Sequence, residues 1–353
     1  MLDTELDIWD RLSLEKRPII IYGMGNGADK IIDEMNRRGI KVKGVTASDD
    51  FVRGQSFRGF EVKKLSQHIK EYDDPVIIIA FGTQRTEVIE HILRLARIHT
   101  VLCADVPVYG NEIFDRSFCQ KHIGEINKVY SLLADEQSKK VFRSVIEFRL
   151  TGELDKLTGC FTEKEEAFRN ILRLGENESY LDLGAYRGDT IAAFLSHTNG
   201  KYSHITALEP DRRTYARLRQ YAGEMPETQL FNMGIWDSDT ELLFEASLGR
   251  GSSIAERGAQ SLSVTCIDTL YKRRRVTYIK ADVEGAEERA ISGARQTLAR
   301  DKPKLDIALY HRSMDIFSLP LLINSIVPGY RLYMRQHPHI PAWDLDLYAS
   351  CDV

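Results

Sequence analysis

Short apolar runs alternate with stretches of helical periodicity, and this alternation occurs twice along the chain. In the first series, Ile19-Ile20-Ile21-Tyr22 follows Pro18 without polar interruption, as in a strand covered on both faces. Ala28 to Arg38 places Ile31, Ile32 and Met35 on one helical face, and Gly39 supplies a stop. Val42 to Val45 predicts a second strand, Pro75 to Ala80 a third, and Thr86 to Ala96 another helix. The pattern predicts a Rossmann-like, doubly wound α/β domain over residues 1–108.

Residues 109–177 read as a helical connector. IGEINKVYSLLADEQSKKVFRSVIEFRL carries apolar residues at helical spacing, with Asp135 as an N-cap and Thr151-Gly152 as a stop. The second α/β series fills 178–353. Its strands are expected at Tyr180–Leu183, Ile205–Leu208, Gln229–Met233, Leu262–Cys266, Val276–Ala281 and Lys304–Leu309. Tyr330–Gln336 and Leu345–Ala349 follow, joined by HPHIPAW, which is too short for a crossover helix. Those two strands must pair antiparallel. This ending departs from the dinucleotide-binding plan and resembles the seven-stranded sheet of S-adenosylmethionine-dependent methyltransferases.

Composition sharpens this picture. The 353 residues are 43% hydrophobic and 28% charged, which suits a globular protein with two cores. The net charge of −4 gives no general attraction to nucleic acid or to an anionic membrane. The basic run Lys272 to Arg275 reads as a solvated loop before a strand. Five cysteines, none in a C-x-x-C pair, argue against a disulfide scaffold or a zinc ribbon. The acidic start MLDTELDIWDRL lacks a signal peptide's apolar segment, and a cytoplasmic location is expected.

The chemistry gathers at the ends of the predicted strands, where an open α/β sheet binds its ligand. LDLGAYRGDT, 181–190, is glycine-rich, yet it carries Asp182 and Asp189. Acids repel a pyrophosphate and attract a sulfonium with a free amino group. Gly184 and Gly188 allow a sharp turn close to a ligand, and Ala185, Tyr186 and Thr190 complete the loop. Glu209-Pro210 ends the next strand, where an acid can accept from both ribose hydroxyls. Asn232 and Trp236 follow the third strand and could border an adenine, although Trp236 could equally be core. Asp189 has a simpler reading as a helix first-turn acid.

YIKADVEGAE, 278–287, interleaves Lys280, Asp282 and Glu284, which an extended strand would point to one side. His311 ends the following strand in ALYHR. Asp282, Glu284 or His311 could remove a proton from a nucleophile, or the three could hold a divalent metal. The plain structural reading pairs Lys280 with Glu284 and leaves Glu287 as a first-turn charge.

LDLGAYRGDT, ALEPD, NMGIWDSD, GRGSSI, SLSVTCIDTL, YIKADVEGAEERAISGA and KPKLDIALYHR together resemble the FkbM family of methyltransferases over about 178–350. The K-x-D-V-E-G-x-E stretch at 280–287 is the most specific of these motifs. The resemblance implies O-methylation of a sugar or natural-product hydroxyl with S-adenosylmethionine. It implies cofactor roles for Asp182, Gly184 and Glu209, and an active site at Asp282, Glu284 and His311. The partner it implies is a small-molecule acceptor such as a sugar or nucleotide-sugar; a homodimer is a further expectation.

In the first domain, Gly23-x-Gly25-x-Gly27-Ala28 departs from G-x-G-x-x-G only by Ala28, and Asp49 follows the second strand like a ribose-binding acid. The region is similar to the nucleotide-sugar-binding domains of some sugar acetyltransferases. It reads either as a second nucleotide site or as a docking scaffold. An oxidoreductase using NAD or a nucleotide-sugar there, without methyl transfer, is the alternative function. Phe81 to Arg85 offers no hydride-transfer partner for it.

Overall fold

The computed structural model describes residues 6–245, 253–254 and 260–351. The first five residues of the acidic N-terminus and most of GRGSSI, 249–252, lie outside the described residues. Packing divides the chain into two units. The first comprises Met1–Ile126, Lys139–Thr162 and Gln336–Asp344, and the second Asn127–Ser138, Glu163–Arg335 and Leu345–Val353. Residues 109–177, expected as a connector, divide between the two units.

The first unit is built on strands β1 (Ile19–Tyr22), β2 (Val42–Ala47), β3 (Ser56–Phe57), β4 (Phe60–Lys64), β5 (Val76–Ile79) and β6 (Val101–Cys103). Their order is β3-β4-β2-β1-β5-β6, all parallel except β3. β1 and β5 are buried along their whole length, as their unbroken apolar runs require. Ile31, Ile32 and Met35 of the helix Asn26–Arg37 close one face of this core. The helix Glu136–Thr151 begins where Asp135 accepts from Ser138 N at 2.7 Å, and it stops at Gly152, whose φ is +70°.

In the second unit β7 (Ser179–Leu183), β8 (His204–Leu208) and β9 (Thr228–Phe231) open the main sheet. β10 (Gly234–Ile235), β11 (Thr240–Glu245), β12 (Ser253–Ile254) and β13 (Gln260–Thr265) follow, and β14 (Tyr278–Ala281), β15 (Lys304–Ala308), β16 (Arg331–Gln336) and β17 (Leu345–Ser350) end the chain. The main sheet has seven strands in the order β16-β17-β15-β14-β7-β8-β9, with the terminal hairpin antiparallel to a parallel body. β13, expected among the strands of this unit, lies outside that sheet, in a small one with β10, β11 and β12. Its residues alternate polar and apolar, which fits a strand covered on one face only. Lys272 to Arg275 is exposed, and Arg274 contacts His204.

β16 ends in a buried cation. Arg335 is 2% exposed and binds Asp135 Oδ2 at 2.7 Å, Glu166 Oε2 at 2.8 Å and Ser138 Oγ at 2.8 Å. The guanidinium thereby fixes two helical segments to the sheet edge. Arg335→Ala should destabilise the protein by about 2 kcal/mol, below the 3–5 kcal/mol of a fully buried pair because both acids keep about a third of their exposure. Urea denaturation measures this, and an unchanged midpoint would contradict it.

Candidate active site

The parallel strands β7, β8, β14 and β15 deliver acids or histidine to one edge of the sheet. β7 leads into the loop Gly184–Gly188, whose start is pinned by Gly184 N and Ala185 N donating to Leu208 O at 3.1 and 3.0 Å. Gly184, with φ +82°, lies so close to β14 that an added Cβ would fall 2.0 Å from Asp282 O. Gly188, with φ +95°, would collide with Tyr221 and caps the helix Asp189–His197. Only glycine fits either position. The loop is thus pressed against the strand end that carries the second set of acids.

Asp182 is fully buried beneath this loop. Thr190 Oγ1 donates to its Oδ2 at 2.5 Å, while Oδ1 has no hydrogen-bond partner. Burial raises its pKa to about 6. Glu209, 7% exposed at the end of β8, accepts from Tyr186 N at 3.0 Å and Asp211 N at 2.9 Å, one on each oxygen. Burial raises it to about 7, and the two amides offset part of that. The Tyr186 bond also holds that residue at φ +49°. Asn232 donates to the carbonyls of Glu209 and Pro210 at 2.9 and 3.0 Å, so its amide nitrogen braces the β8 turn. Trp236 packs with Leu242, Leu262 and Val264 of the small sheet, with Arg289 over its ring. Asp189 is an exposed first-turn acid.

Three of the four residues expected at the active site come together. His311 is 1% exposed, and its Nε2 stands 3.4 Å from Asp282 Oδ1 and 3.5 Å from Glu284 Oε2. Tyr310 OH donates to both Asp282 oxygens at 3.1 Å. Glu284 reaches His311 from a turn rather than from a strand, since β14 stops at Ala281 and Glu284 has φ +52°. Lys280 is the exception. It belongs to the strand and turns into the sheet, where Asp182 and Asp306 are its register neighbours and Asp306 Oδ2 is 3.8 Å from its Nζ. Burial works against its charge, but Asp306, Asp346, Asp282 and Asp182 hold the ammonium well above its ordinary range. Lys280 therefore pairs with Asp306, not with Glu284, and the expected one-sided row 280-282-284 is corrected.

Sequence reasoning missed Glu287 as a partner. It opens the helix Glu287–Ser292, is 1% exposed, accepts from Val283 N at 2.8 Å and forms an ion pair with His311 Nδ1 at 2.9 Å that lacks a linear hydrogen bond. Burial opposes a charged imidazole, yet Glu287, Asp282 and Glu284 raise His311 to about 10. Asp282 and Glu284, each about one-third exposed, are the members of this cluster within reach of an acceptor's proton. The signal for Glu287 is an acid directly after a G-A pair, common to many helix starts and therefore silent about its partner.

Residues 182–343 match the family model described as the methyltransferase FkbM domain. Over that stretch the chain is similar to the FkbM methyltransferases. Residues 15–99 match a second family model, described as C2185-like, N-terminal. Among solved structures the chain is similar to an FkbM methyltransferase from Methylobacillus flagellatus. The identity is 22% over 98% of this chain and 94% of that one, with a TM-score of 0.74. An rRNA methylase from Streptococcus thermophilus (14% identity, 50% and 88% covered, TM-score 0.33) is more distant. So is Aeropyrum pernix fibrillarin, solved with S-adenosyl-L-methionine bound (16%, 50% and 67%, 0.32). No curated protein matches the chain.

In the first unit Gly23 ends β1 at φ +139° against Ala80 O, Gly25 caps the helix Asn26–Arg37 and Gly27 lies in its first turn. Asp49 is exposed in a short 3-10 turn after β2, 3.8 Å from Lys64 Nζ. The Trp343 ring lies over Gly82 and reaches to 4.0 Å from a Cβ built on Gly27. Thr83 and Ile340 exchange backbone hydrogen bonds beside it at 2.8 and 3.0 Å. The mouth of this glycine turn is thus walled by the chain's own indole.

Gly184→Ala tests the contact between the loop and β14. A left-handed φ costs about 1–2 kcal/mol and overpacking a further 1–3 kcal/mol. Chemical denaturation should show a loss of roughly 2–5 kcal/mol; a loss under about 0.5 kcal/mol would mean that the loop is free of β14.

Proposed function

We propose that the protein transfers a methyl group from S-adenosylmethionine to a hydroxyl of a small molecule, a sugar or natural-product scaffold. The observation that carries this reading is the contact of Gly184 with Asp282, which sets the glycine loop beside the Asp282–Glu284–His311 cluster. Donor and acceptor groups are then held side by side, and positioning of this kind supplies much of a transfer rate. S-adenosylmethionine provides the methyl group on its sulfonium.

The residues fit such a cofactor. Asp182 Oδ1 is a buried acceptor without a partner, suited to an ammonium through the loop or an intervening water. Glu209 is aimed by two backbone amides and keeps a lone pair on each oxygen for ribose hydroxyls. Asp282, oriented by Tyr310, and Glu284 are placed to take the acceptor's proton. The acid-lined loop disfavours a pyrophosphate, which separates this reading from a dinucleotide-dependent oxidoreductase. Incubation with methyl-labelled S-adenosylmethionine and a panel of sugars, nucleotide-sugars and polyhydroxylated scaffolds tests it. The expected result is label on an acceptor oxygen, with turnover lost in Asp282→Ala while cofactor binding persists. Turnover untouched by Asp282→Ala would overturn the assignment.

Glu209 yields a pH prediction. Burial holds its folded pKa at about 7, above the 4.5 of a free carboxyl, so the folded chain retains a proton that the unfolded chain releases. Its contribution to stability is complete below about pH 4.5 and declines as pH rises toward 7. The ligand-free protein should therefore lose roughly 1–3 kcal/mol of stability between pH 4.5 and pH 8, and Glu209→Gln, which does not titrate, should remove that dependence. The same change should weaken S-adenosylhomocysteine binding by at least about tenfold, through loss of charged hydrogen bonds. Thermal unfolding and calorimetry read the two effects, and tighter binding by the variant would contradict the ribose role.

A further inference from the structure

We propose that Asp282, Glu284 and His311 bind one first-row divalent cation, with Glu287 and Tyr310 holding the ligands in place. The inference rests on the methyl-transfer reading only for what the ion does, not for where it binds.

Three features converge. First, the distances suit an ion. Two donors each bonded at about 2.0–2.2 Å, at tetrahedral or octahedral angles, stand about 3.0–3.5 Å apart. His311 Nε2 lies 3.4 Å from Asp282 Oδ1 and 3.5 Å from Glu284 Oε2, longer than well-formed imidazole hydrogen bonds. Second, the imidazole is nine-tenths and more buried, yet Nε2 faces the two carboxylates that keep contact with solvent. A buried ring aimed at an accessible pair of acids leaves an open side for a further ligand. Third, each inner group is held by an outer one. Glu287, itself fixed by Val283 N, sits 2.9 Å from Nδ1, and Tyr310 grips both oxygens of Asp282. A carboxylate behind a histidine is the usual support of a metal-bound imidazole.

The ligand atoms of Asp282, Glu287 and His311 lie within 4.8 Å of one another, and Glu284, 3.5 Å from His311 Nε2, stands outside that group. Glu287 is nevertheless the outer group, since it occupies the Nδ1 side and is sealed from solvent. One nitrogen and two carboxylates form a borderline donor set, for which Zn²⁺ and Mn²⁺ are best suited and Ca²⁺ poorly. An ion there would stand beside Gly184 and could receive an acceptor hydroxyl, whose pKa it would lower.

The test uses the full chain after dialysis against EDTA. Mn²⁺ is titrated in while the free ion is followed by electron paramagnetic resonance, and Zn²⁺ then competes. The expected result is one Mn²⁺ per chain, displaced by Zn²⁺. His311→Ala and Asp282→Asn should each weaken binding at least about tenfold, and Glu287→Gln about tenfold. Glu284→Gln, at a partly exposed site and so least prone to unfold the protein, should weaken it as well. No Mn²⁺ or Zn²⁺ bound at millimolar concentration would overturn the proposal, as would binding equal in wild type, His311→Ala and Glu284→Gln. S-adenosylhomocysteine affinity measured on the same samples separates the two readings: retained cofactor binding without ion binding defeats the ion site alone.

Discussion

One buried cation organises the second unit. Lys280 lies in the middle of the seven-stranded sheet, with Asp182 beside it on β7 and Asp306 beside it on β15. Lone acids at these depths would be costly, since burial alone pushes Asp182 and Asp306 toward their neutral forms. The ammonium offsets that cost for both. It also fixes a register in which the ends of β7, β14 and β15 fall level, because a shift by one residue would turn each charge to the opposite face of the sheet. The loop at 184–188, the turn at 282–285 and Tyr310-His311 all start from that level edge.

From this edge the chemistry divides between two clusters. The β7 and β8 ends present acceptors: an unpartnered Asp182 oxygen and a Glu209 held by two amides. The β14 and β15 ends present a charged network in which His311 lies between buried Glu287 and the accessible pair Asp282 and Glu284. Gly184 joins the clusters through a contact that admits no side chain. The arrangement suits a reaction that needs a cationic donor and a deprotonated acceptor in one place.

Much of this was legible before any coordinates. Unbroken apolar runs mark β1 and β5, because strands covered on both faces leave little room for polar residues. The short HPHIPAW connection dictated the antiparallel ending. Asp182, Glu209, Asp282 and His311 were visible because each closes an apolar run. Two aspects were hidden. Alternation along a strand predicts sidedness only while the strand lasts, and β14 ends at Ala281, so Lys280 faces the sheet while Glu284 turns back in a left-handed conformation. Glu287 and His311 meet across two elements 24 positions apart, a proximity that periodicity within one segment does not encode. The placement of β13 in a separate sheet was signalled by its alternating pattern, which differs from the continuous runs around it.

The central claim is that the acid-bearing loop holds S-adenosylmethionine. Native mass spectrometry of the full chain with added S-adenosylhomocysteine tests it most directly. The expected result is a complex of one ligand per chain, weakened in Asp182→Ala. A chain that binds neither S-adenosylhomocysteine nor S-adenosylmethionine would contradict it.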